Sequence, residues 1–185
     1  MYLMHLNFDK YLKDIKPKLD YNIPMYGINY DLELEPSRYL SPDDFNLKVD
    51  LHTKIFNPTY DVLENLNGLK KSFSSTEGCG FILKVNGVIV GSVDYDMVYD
   101  FVYILNLGLI DEFRGKGLSK VLLSFCIDRI IDKYYAKYDG VYLTVKKSNY
   151  VAQNLYNSFG FEVKCWKMTW CVCHYFPDKI FYIIV

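Results

Sequence analysis

The chain has 185 residues, 51% of them apolar, and a formal net charge of -1 from 21 basic and 22 acidic side chains. This length allows one domain with a substantial core. The balanced charge gives no electrostatic support for a nucleic-acid or membrane-surface partner. We see no apolar run long enough to cross a membrane and no signal peptide, and therefore expect a cytoplasmic protein.

Five cysteines without a regular framework fit a reducing compartment. Cys171, Cys173 and His174 suggest part of a metal site. On a strand, however, the period of two places both cysteines on one face and the histidine on the other. No second ligand pair stands elsewhere in the sequence, so we predict no metal.

The first third of the chain predicts an extension, a strand and two helices. Residues 1–29 are interpreted as an N-terminal extension with a short helix around Phe8–Ile15, and residues 30–185 as a single domain. Tyr30–Glu35 alternates apolar and acidic residues, which predicts a first strand.

Ser41 and Pro42 predict a helix start, because serine caps a helix and proline suits its first position. This helix should reach Phe56, since Asn57-Pro58 interrupts helical backbone. A second helix is predicted over Tyr60–Lys71.

Three strands follow. Phe81–Val85 and Val88–Val93 flank Asn86-Gly87, a dipeptide that favours a two-residue hairpin turn. Phe101–Leu109 is predicted as the third strand of this group.

A glycine-rich turn, Arg114-Gly115-Lys116-Gly117, joins that strand to an amphipathic helix. Such a turn directs several backbone N–H groups and the positive end of the helix dipole at one place, which suits a phosphate or pyrophosphate. Gly117 leaves space for a ligand against the backbone. The alternative is an ordinary loop before an ordinary helix. The sequence matches neither a P-loop nor Gly-x-Gly-x-x-Gly, because Lys120 stands where the third glycine would be.

The remaining pattern predicts a strand at Val141–Val145 and a second amphipathic helix. Asn149 or Ser148 can cap this helix, and Gly160 ends it. Its apolar stripe consists of Ala152, Leu155, Tyr156 and Phe159. A closing hairpin is predicted from Phe161–Phe176 and Lys179–Val185.

Two segments resemble one known family. Arg-x-x-Gly-x-Ser, from Arg114 to Ser119, resembles the acyl-CoA signature of the GNAT family of N-acetyltransferases, Gln/Arg-x-x-Gly-x-Gly/Ala. Ser119 is a mild departure from it. Residues 149–161 match the family's later signature, Asn-x-x-Ala-x-x-Leu-Tyr-x-x-x-Gly-Phe, at every specified position. The resemblance implies an α/β fold with about four helices and a mixed sheet of about six to seven strands. That sheet would be splayed at a V-shaped cleft between the third strand and the Val141 strand.

The resemblance also implies a cofactor, acetyl-CoA, and a set of roles. Tyr156 would protonate the departing thiolate, which a phenol can do because it stays protonated at neutral pH. The backbone N–H of Leu109 would polarise the thioester carbonyl, and Asn149 would bond the pantetheine arm. The other cofactor-binding positions would be Leu107, Arg114, Gly115, Lys116, Gly117, Leu118 and Ser119.

The third strand is similar to one subfamily in particular, the catalytic subunits of protein N-terminal (α-amine) acetyltransferases. Tyr103-Ile-Leu-Asn-Leu-Gly resembles their Tyr-Ile-x-x-Leu-Gly, and Tyr142-Leu-Thr-Val resembles their Tyr-Leu-His-Val. By this resemblance Tyr103 would order a water or take the amine proton. The peptide site would be lined by Phe56, Pro58, Tyr142, Tyr175 and Phe176.

Thr144 departs from that pattern, because it replaces the histidine base. Threonine cannot act as a base near neutral pH, although its hydroxyl can hold a water. An α-amine with a pKa of about 8 is about one-fifth neutral near pH 7.4, whereas a lysine amine is about one-thousandth neutral. A weak base therefore favours an N-terminal acceptor. Other candidate bases are Asp94, Asp96, Glu112 and His174.

Three hypotheses remain open at this point. The leading one is an acetyltransferase acting on a peptide or protein N-terminus, with a homodimer possible. The second is an enzyme for a small amine, such as a polyamine or an aminoglycoside, for which the pair Asp94 and Asp96 is the only hint. The third is a non-catalytic acyl-CoA-binding module, motivated by Thr144.

Overall fold

The computed structural model describes residues 1–18, 32–36, 42–56, 79–98 and 101–165. Its strands are β1 (Tyr2–Asn7), β2 (Leu32–Pro36), β3 (Cys79–Val85), β4 (Val88–Val98), β5 (Phe101–Leu109), β6 (Gly140–Val145) and β7 (Glu162–Cys165). Its α-helices are α1 (Phe8–Lys10), α2 (Pro42–Phe56), α3 (Leu118–Tyr134) and α4 (Tyr150–Ser158). A π-helical turn (Tyr11–Ile15) and a 3₁₀ turn (Lys16–Lys18) continue α1, and a second 3₁₀ turn (Asp111–Phe113) follows β5.

The described strands form one mixed seven-stranded sheet in the order β2-β3-β4-β5-β6-β1-β7. Strands β5 and β6 are parallel, and the other neighbouring pairs are antiparallel. The parallel pairing joins only Val102–Ile104 to Val141–Leu143. Because β5 continues to Leu109, its last residues run along an open gap in the sheet. The predicted cleft between these two strands is therefore confirmed.

A β-bulge in β5 lies where this gap begins. Asp94 pairs with Asn106 and Tyr95 pairs with Ile104, so Leu105 is an extra residue on β5. An extra residue reverses which face the following side chains occupy. Tyr103 before the bulge and Asn106 after it therefore share one face of the sheet.

The helices cover the two faces of the sheet. Helix α3 packs through its buried side chains on the face that carries Ile104 and Leu107, and α4 joins the same core through Leu155. Helix α2 lies on the opposite face, where Leu51 and Ile55 contact Ile82, Ile89 and Ile110. The bulge and the gap thus lie in the middle of the fold, with a helical layer on either side.

The interpretation of residues 1–29 as an N-terminal extension did not predict strand β1. Tyr2–Asn7 lies inside the sheet, with Tyr2 opposite Val145 on β6 and Met4 opposite Val163 on β7. The strand was missed because polar residues interrupt a short apolar run, and its pairing partners lie more than 130 residues away in the sequence. The predicted helix around Phe8–Ile15 appears as the α-helical and π-helical turns that follow.

Several local predictions are confirmed. Asn86 and Gly87 both have positive φ angles, 52° and 77°, as a tight hairpin turn requires. Helix α2 spans Pro42–Phe56, and α3 begins at Leu118 directly after the glycine turn. The first predicted strand appears as Leu32–Pro36. The predicted helix at 60–71 and the closing hairpin beyond residue 165 lie outside the described residues.

No helix in the described residues combines the length and the apolar character that crossing a bilayer requires.

Strand β1 yields a stability prediction. Met4 is fully buried in the main core, so Met4→Ala should lower the free energy of unfolding by about 2–5 kcal/mol. Leu12 lies in the same N-terminal segment but is 36% exposed, so Leu12→Ala should change it by about 0.5 kcal/mol or less. Urea denaturation followed by circular dichroism measures both. Equal, small effects would show that β1 contributes little to the sheet.

Candidate active site

The turn between β5 and α3 exposes a run of backbone donors. Gly115 and Gly117 have positive φ angles of 73° and 79°, a conformation that glycine adopts without strain. Arg114 N donates to Asp111 O, and Lys120 N donates to Gly117 O. The five N–H groups of residues 115–119 lie between these bonds and have no backbone acceptor in the described part of the chain. They lie at the N-terminus of a 17-residue helix, where such N–H groups suit an anion.

The charged side chains of the turn are largely occupied within it. Arg114 donates through Nε to Leu109 O at 3.1 Å and pairs through Nη1 with Asp111 at 2.8 Å. Lys116 Nζ lies 5.0 Å from the centre of the Phe113 ring. Arg114 therefore fixes the turn against the end of β5.

A cavity of about 480 Å³ extends from this turn to helix α4. Its lining residues come from the end of β5, the turn and the first turn of α3, and from one side of α4: Leu109, Arg114, Gly115, Gly117, Ser119, Lys120, Val151, Asn154, Leu155 and Ser158. The lining combines a polar end at the turn with an apolar wall that includes Leu109, Val151 and Leu155. Of these residues, the sequence analysis missed Lys120 and the α4 group, although 151, 154, 155 and 158 repeat at helical spacing.

The open edge of β5 presents further donors to the gap. Ile110 N donates to Val90 O on β4. Successive residues of a strand point their N–H groups to opposite sides, so the N–H of Leu109 points away from β4, towards the gap. The same alternation directs the N–H of Leu107 there. These are donors of the kind that polarise a carbonyl.

Tyr156 lies on α4 with its ring in the core and its hydroxyl without a hydrogen-bond partner. The residue is fully buried, and burial raises the pKa of its phenol above the ordinary value. A buried hydroxyl that lacks a partner is costly. Tyr156 therefore stays protonated, and its hydroxyl can donate a hydrogen bond.

Asn149 caps helix α4 and is one of the two capping residues predicted from the sequence. Its Oδ1 accepts a hydrogen bond from Ala152 N at 3.1 Å. The helix ends at Gly160, which has a φ of 85°. Asn149 Oδ1 is engaged in this cap, and the contact of Asn149 with a pantetheine arm stays a prediction.

The opposite face of the sheet brings Tyr103 and Thr144 together. Burial raises the pKa of Tyr103, and the neighbouring Thr144 hydroxyl lowers it in part. Tyr142 lies beside Tyr103 on β6, and its ring stacks 4.4 Å from that of His5 on β1. Burial lowers the pKa of His5. His5 is a neighbour of the predicted site that the sequence analysis did not single out.

Helix α2 adds a buried ion pair on this face. Lys48 Nζ lies 2.6 Å from Asp94 Oδ1, and both side chains are almost completely buried. His52, one helical turn after Lys48, lies beside them, and burial lowers its pKa to about 4. Because Lys48 neutralises Asp94, the pair Asp94 and Asp96 does not form the open acidic wall that a polyamine would favour.

The other predicted substrate residues are only partly described. Phe56 is the last residue of α2. Pro58, Tyr175 and Phe176 lie outside the described residues, as do Cys171–His174. The described residues contain no cluster of three or more side chains suited to a metal ion.

Comparisons with known proteins agree with this architecture. The profile of the Acetyltransferase (GNAT) family matches residues 46–161. The aminoglycoside N-acetyltransferase AAC(6')-Iy, solved in complex with CoA, superposes with a TM-score of 0.63 at 14% identity, over 76% of this chain and 95% of that one. No curated protein matches the sequence.

Two further solved structures share the fold at low identity. The ribosomal-protein-S18-alanine N-acetyltransferase from Escherichia coli has a TM-score of 0.57 at 18% identity, with 70% of this chain and 77% of that chain covered. The N-acetyltransferase PseH from Campylobacter jejuni has a TM-score of 0.52 at 22% identity, with 74% and 91% covered. These likenesses show the fold, and their acceptors differ widely.

Proposed function

Because the chain belongs to the acetyltransferase (GNAT) family, we propose that it transfers the acetyl group of acetyl-CoA to a primary amine by direct attack in a ternary complex. We propose further that this amine is the α-amine of a protein N-terminus. The observation that carries the first proposal is the run of backbone N–H groups at residues 115–119 without a backbone acceptor, in the cleft beside the open edge of β5. The hydroxyl of Tyr156, buried and without a hydrogen-bond partner, is a further donor on the neighbouring helix α4.

The residues of this cleft fit coenzyme A. The amides of residues 115–119 suit its diphosphate, and the cavity between the turn and α4 suits the pantetheine arm. Acetyl-CoA supplies the acetyl thioester. Leu109 would donate its N–H to the thioester carbonyl oxygen. The N–H of Leu107, two residues earlier on β5, points to the same gap. Tyr156, whose buried phenol is protonated at neutral pH, would give its proton to the leaving sulfur.

The choice of an α-amine rests on Tyr103 and Thr144. Tyr103 stays protonated because burial raises its pKa, so it can order the amine or a water but cannot retain the amine's proton. Thr144 cannot be a base. An active site without a strong base near these residues favours an acceptor that is already partly neutral at pH 7. This supports an N-terminal α-amine over a lysine side chain.

A panel of acceptors tests the proposal. The protein would be incubated with acetyl-CoA and peptides with free N-termini, a lysine peptide blocked at its N-terminus, spermidine or an aminoglycoside, with CoA release as the signal. We expect turnover of N-terminal peptides, with a rate that rises towards pH 8 as the α-amine loses its proton. Turnover of the small amines alone would favour the second hypothesis. CoA binding without turnover of any amine would favour a binding module.

A glycine substitution tests the anion site. Gly117→Ala places an L-residue at a φ of 79°, which should destabilise the fold by about 1–2 kcal/mol and weaken CoA binding by about tenfold or more. Gly87→Ala is the matched control, since Gly87 has a φ of 77° in the β3–β4 turn and open space around it. Calorimetry should find reduced CoA affinity for the first variant only. Equal affinities would place the diphosphate elsewhere.

A second variant tests the proton donor. Tyr156→Phe removes the hydroxyl but keeps the ring, so kcat should fall by about a hundredfold while CoA affinity is retained. Tyr134→Phe is the control, because Tyr134 is also a buried tyrosine of the main core but lies at the far end of α3. Steady-state kinetics and calorimetry measure both variants. A Tyr156→Phe enzyme with normal kcat would exclude the donor role.

A further inference from the structure

The proton that the acceptor amine must lose cannot pass to Thr144, Tyr103 or Tyr156. Thr144 is not a base. Burial raises the pKa of both Tyr103 and Tyr156, so both phenols keep their own protons. The acceptor must therefore be sought elsewhere on the face of the sheet that carries Tyr103.

Asp94 occupies a suitable position on that face. On β4 it pairs directly with Asn106, the first residue of β5 after the bulge, where β5 leaves β6. Its neighbour Asp96 pairs with Tyr103. Side chains two residues apart on a strand share a face, so Asp94, Asp96 and Tyr103 form one row beside the start of the gap.

Asp94 also has an unused oxygen. Oδ1 is held by Lys48 at 2.6 Å, while Oδ2 is buried and has no hydrogen-bond partner. A carboxylate oxygen left without a partner in the interior costs free energy, and a catalytic role is one reason for a protein to keep it. Ser92, the next residue along this face of β4, likewise carries a buried hydroxyl without a partner. Both residues belong to the face of the sheet on which α2 packs.

The charged and titratable groups around Asp94 come from the elements packed against it. Helix α2 presents the Lys48 ammonium to it, and the imidazole of His52 is uncharged near neutral pH because burial lowers its pKa to about 4. Strand β4 adds Asp96, whose Oδ1 accepts from Met97 N, and β5 adds the neutral phenol of Tyr103. Strand β3 places Gly80 directly opposite Asp94.

We propose that Asp94 is the general base of the reaction and that Lys48 is the residue that holds it in position. The inference rests on the proposed function. As the bond between the amine nitrogen and the acetyl carbon forms and the carbon–sulfur bond breaks, Asp94 Oδ2 receives the proton released by the amine. Tyr156 supplies the proton that the sulfur takes up, so the two protons move on opposite faces of the sheet and the charges balance.

The pH dependence of wild type and Asp94→Asn tests this assignment on the full chain. With an α-amine acceptor, log kcat/KM of the wild type should rise with a slope of one as the amine loses its proton. The slope should steepen to two at lower pH, where Asp94 also takes up a proton. Asp94→Asn should lower kcat/KM by about a hundredfold or more and keep a slope of one throughout. Asp132→Asn, at an exposed aspartate of α3, should leave both the value and the break in slope close to wild type. Asp96→Asn should keep the break in slope.

Two Lys48 variants separate catalysis from folding. Lys48→Met alone removes the cation that favours the ionised carboxylate, so the break in slope should move to higher pH. Lys48→Met combined with Asp94→Asn removes both charges, which avoids leaving one buried charge alone. This double variant should fold, bind CoA by calorimetry and remain as slow as Asp94→Asn.

The outcomes are distinct. Normal kcat/KM and an unchanged pH profile in Asp94→Asn or in the folded double variant would overturn the assignment of Asp94 and leave the proposed function intact. Loss of the break in slope in Asp96→Asn would move the base to Asp96. A wild-type protein that turns over no amine would overturn the proposed function itself.

Discussion

The early end of the β5–β6 pairing is the constraint on which the rest of the site depends. Only three residues of each strand are paired, and β5 then continues along the gap with the N–H groups of Leu107 and Leu109 directed into it. In a fully paired sheet, Leu107 and Leu109 would donate to β6 and could not polarise a substrate. The unpaired donors have a cost in stability, because buried N–H groups normally find partners. A carbonyl group bound in the gap would satisfy them.

The bulge at Leu105 makes this gap useful for chemistry. Before it, Tyr103 faces α2, and after it Leu107 and Leu109 face α3 and contribute to the main core. One strand therefore supplies a polar side chain to one face and apolar packing to the other within a few residues. In the proposed reaction the thioester lies in the gap, and the amine attacks its carbonyl carbon from the face that carries Tyr103.

Much of this arrangement follows from local sequence signals. The turn at Arg114–Gly117, the hairpin at Asn86-Gly87 and the capped helix after Asn149 each depend on residues a few positions apart, so the pattern alone predicts them. Strand β1 and the ion pair between Lys48 and Asp94 do not follow in this way. Both depend on contacts between distant parts of the chain. No sequence pattern predicts which residues a short strand of mixed polarity, or a lysine on a helix, will contact. The bulge also escaped prediction, since nothing in Tyr103–Leu109 marks the extra residue.

The buried ion pair raises the question of why the sheet face covered by α2 carries polar side chains. Replacing a buried ion pair by apolar side chains of similar volume is often neutral or stabilising, so stability alone does not explain Lys48 and Asp94. The neighbouring side chains of α2 show that an apolar solution is available, because Leu51 and Ile55 already pack on Ile82 and Ile89. The polar residues concentrate instead beside Asn106 and Tyr103, at the start of the gap. Their position therefore accords with a demand from the reaction, which must place one proton in a part of the protein that excludes water.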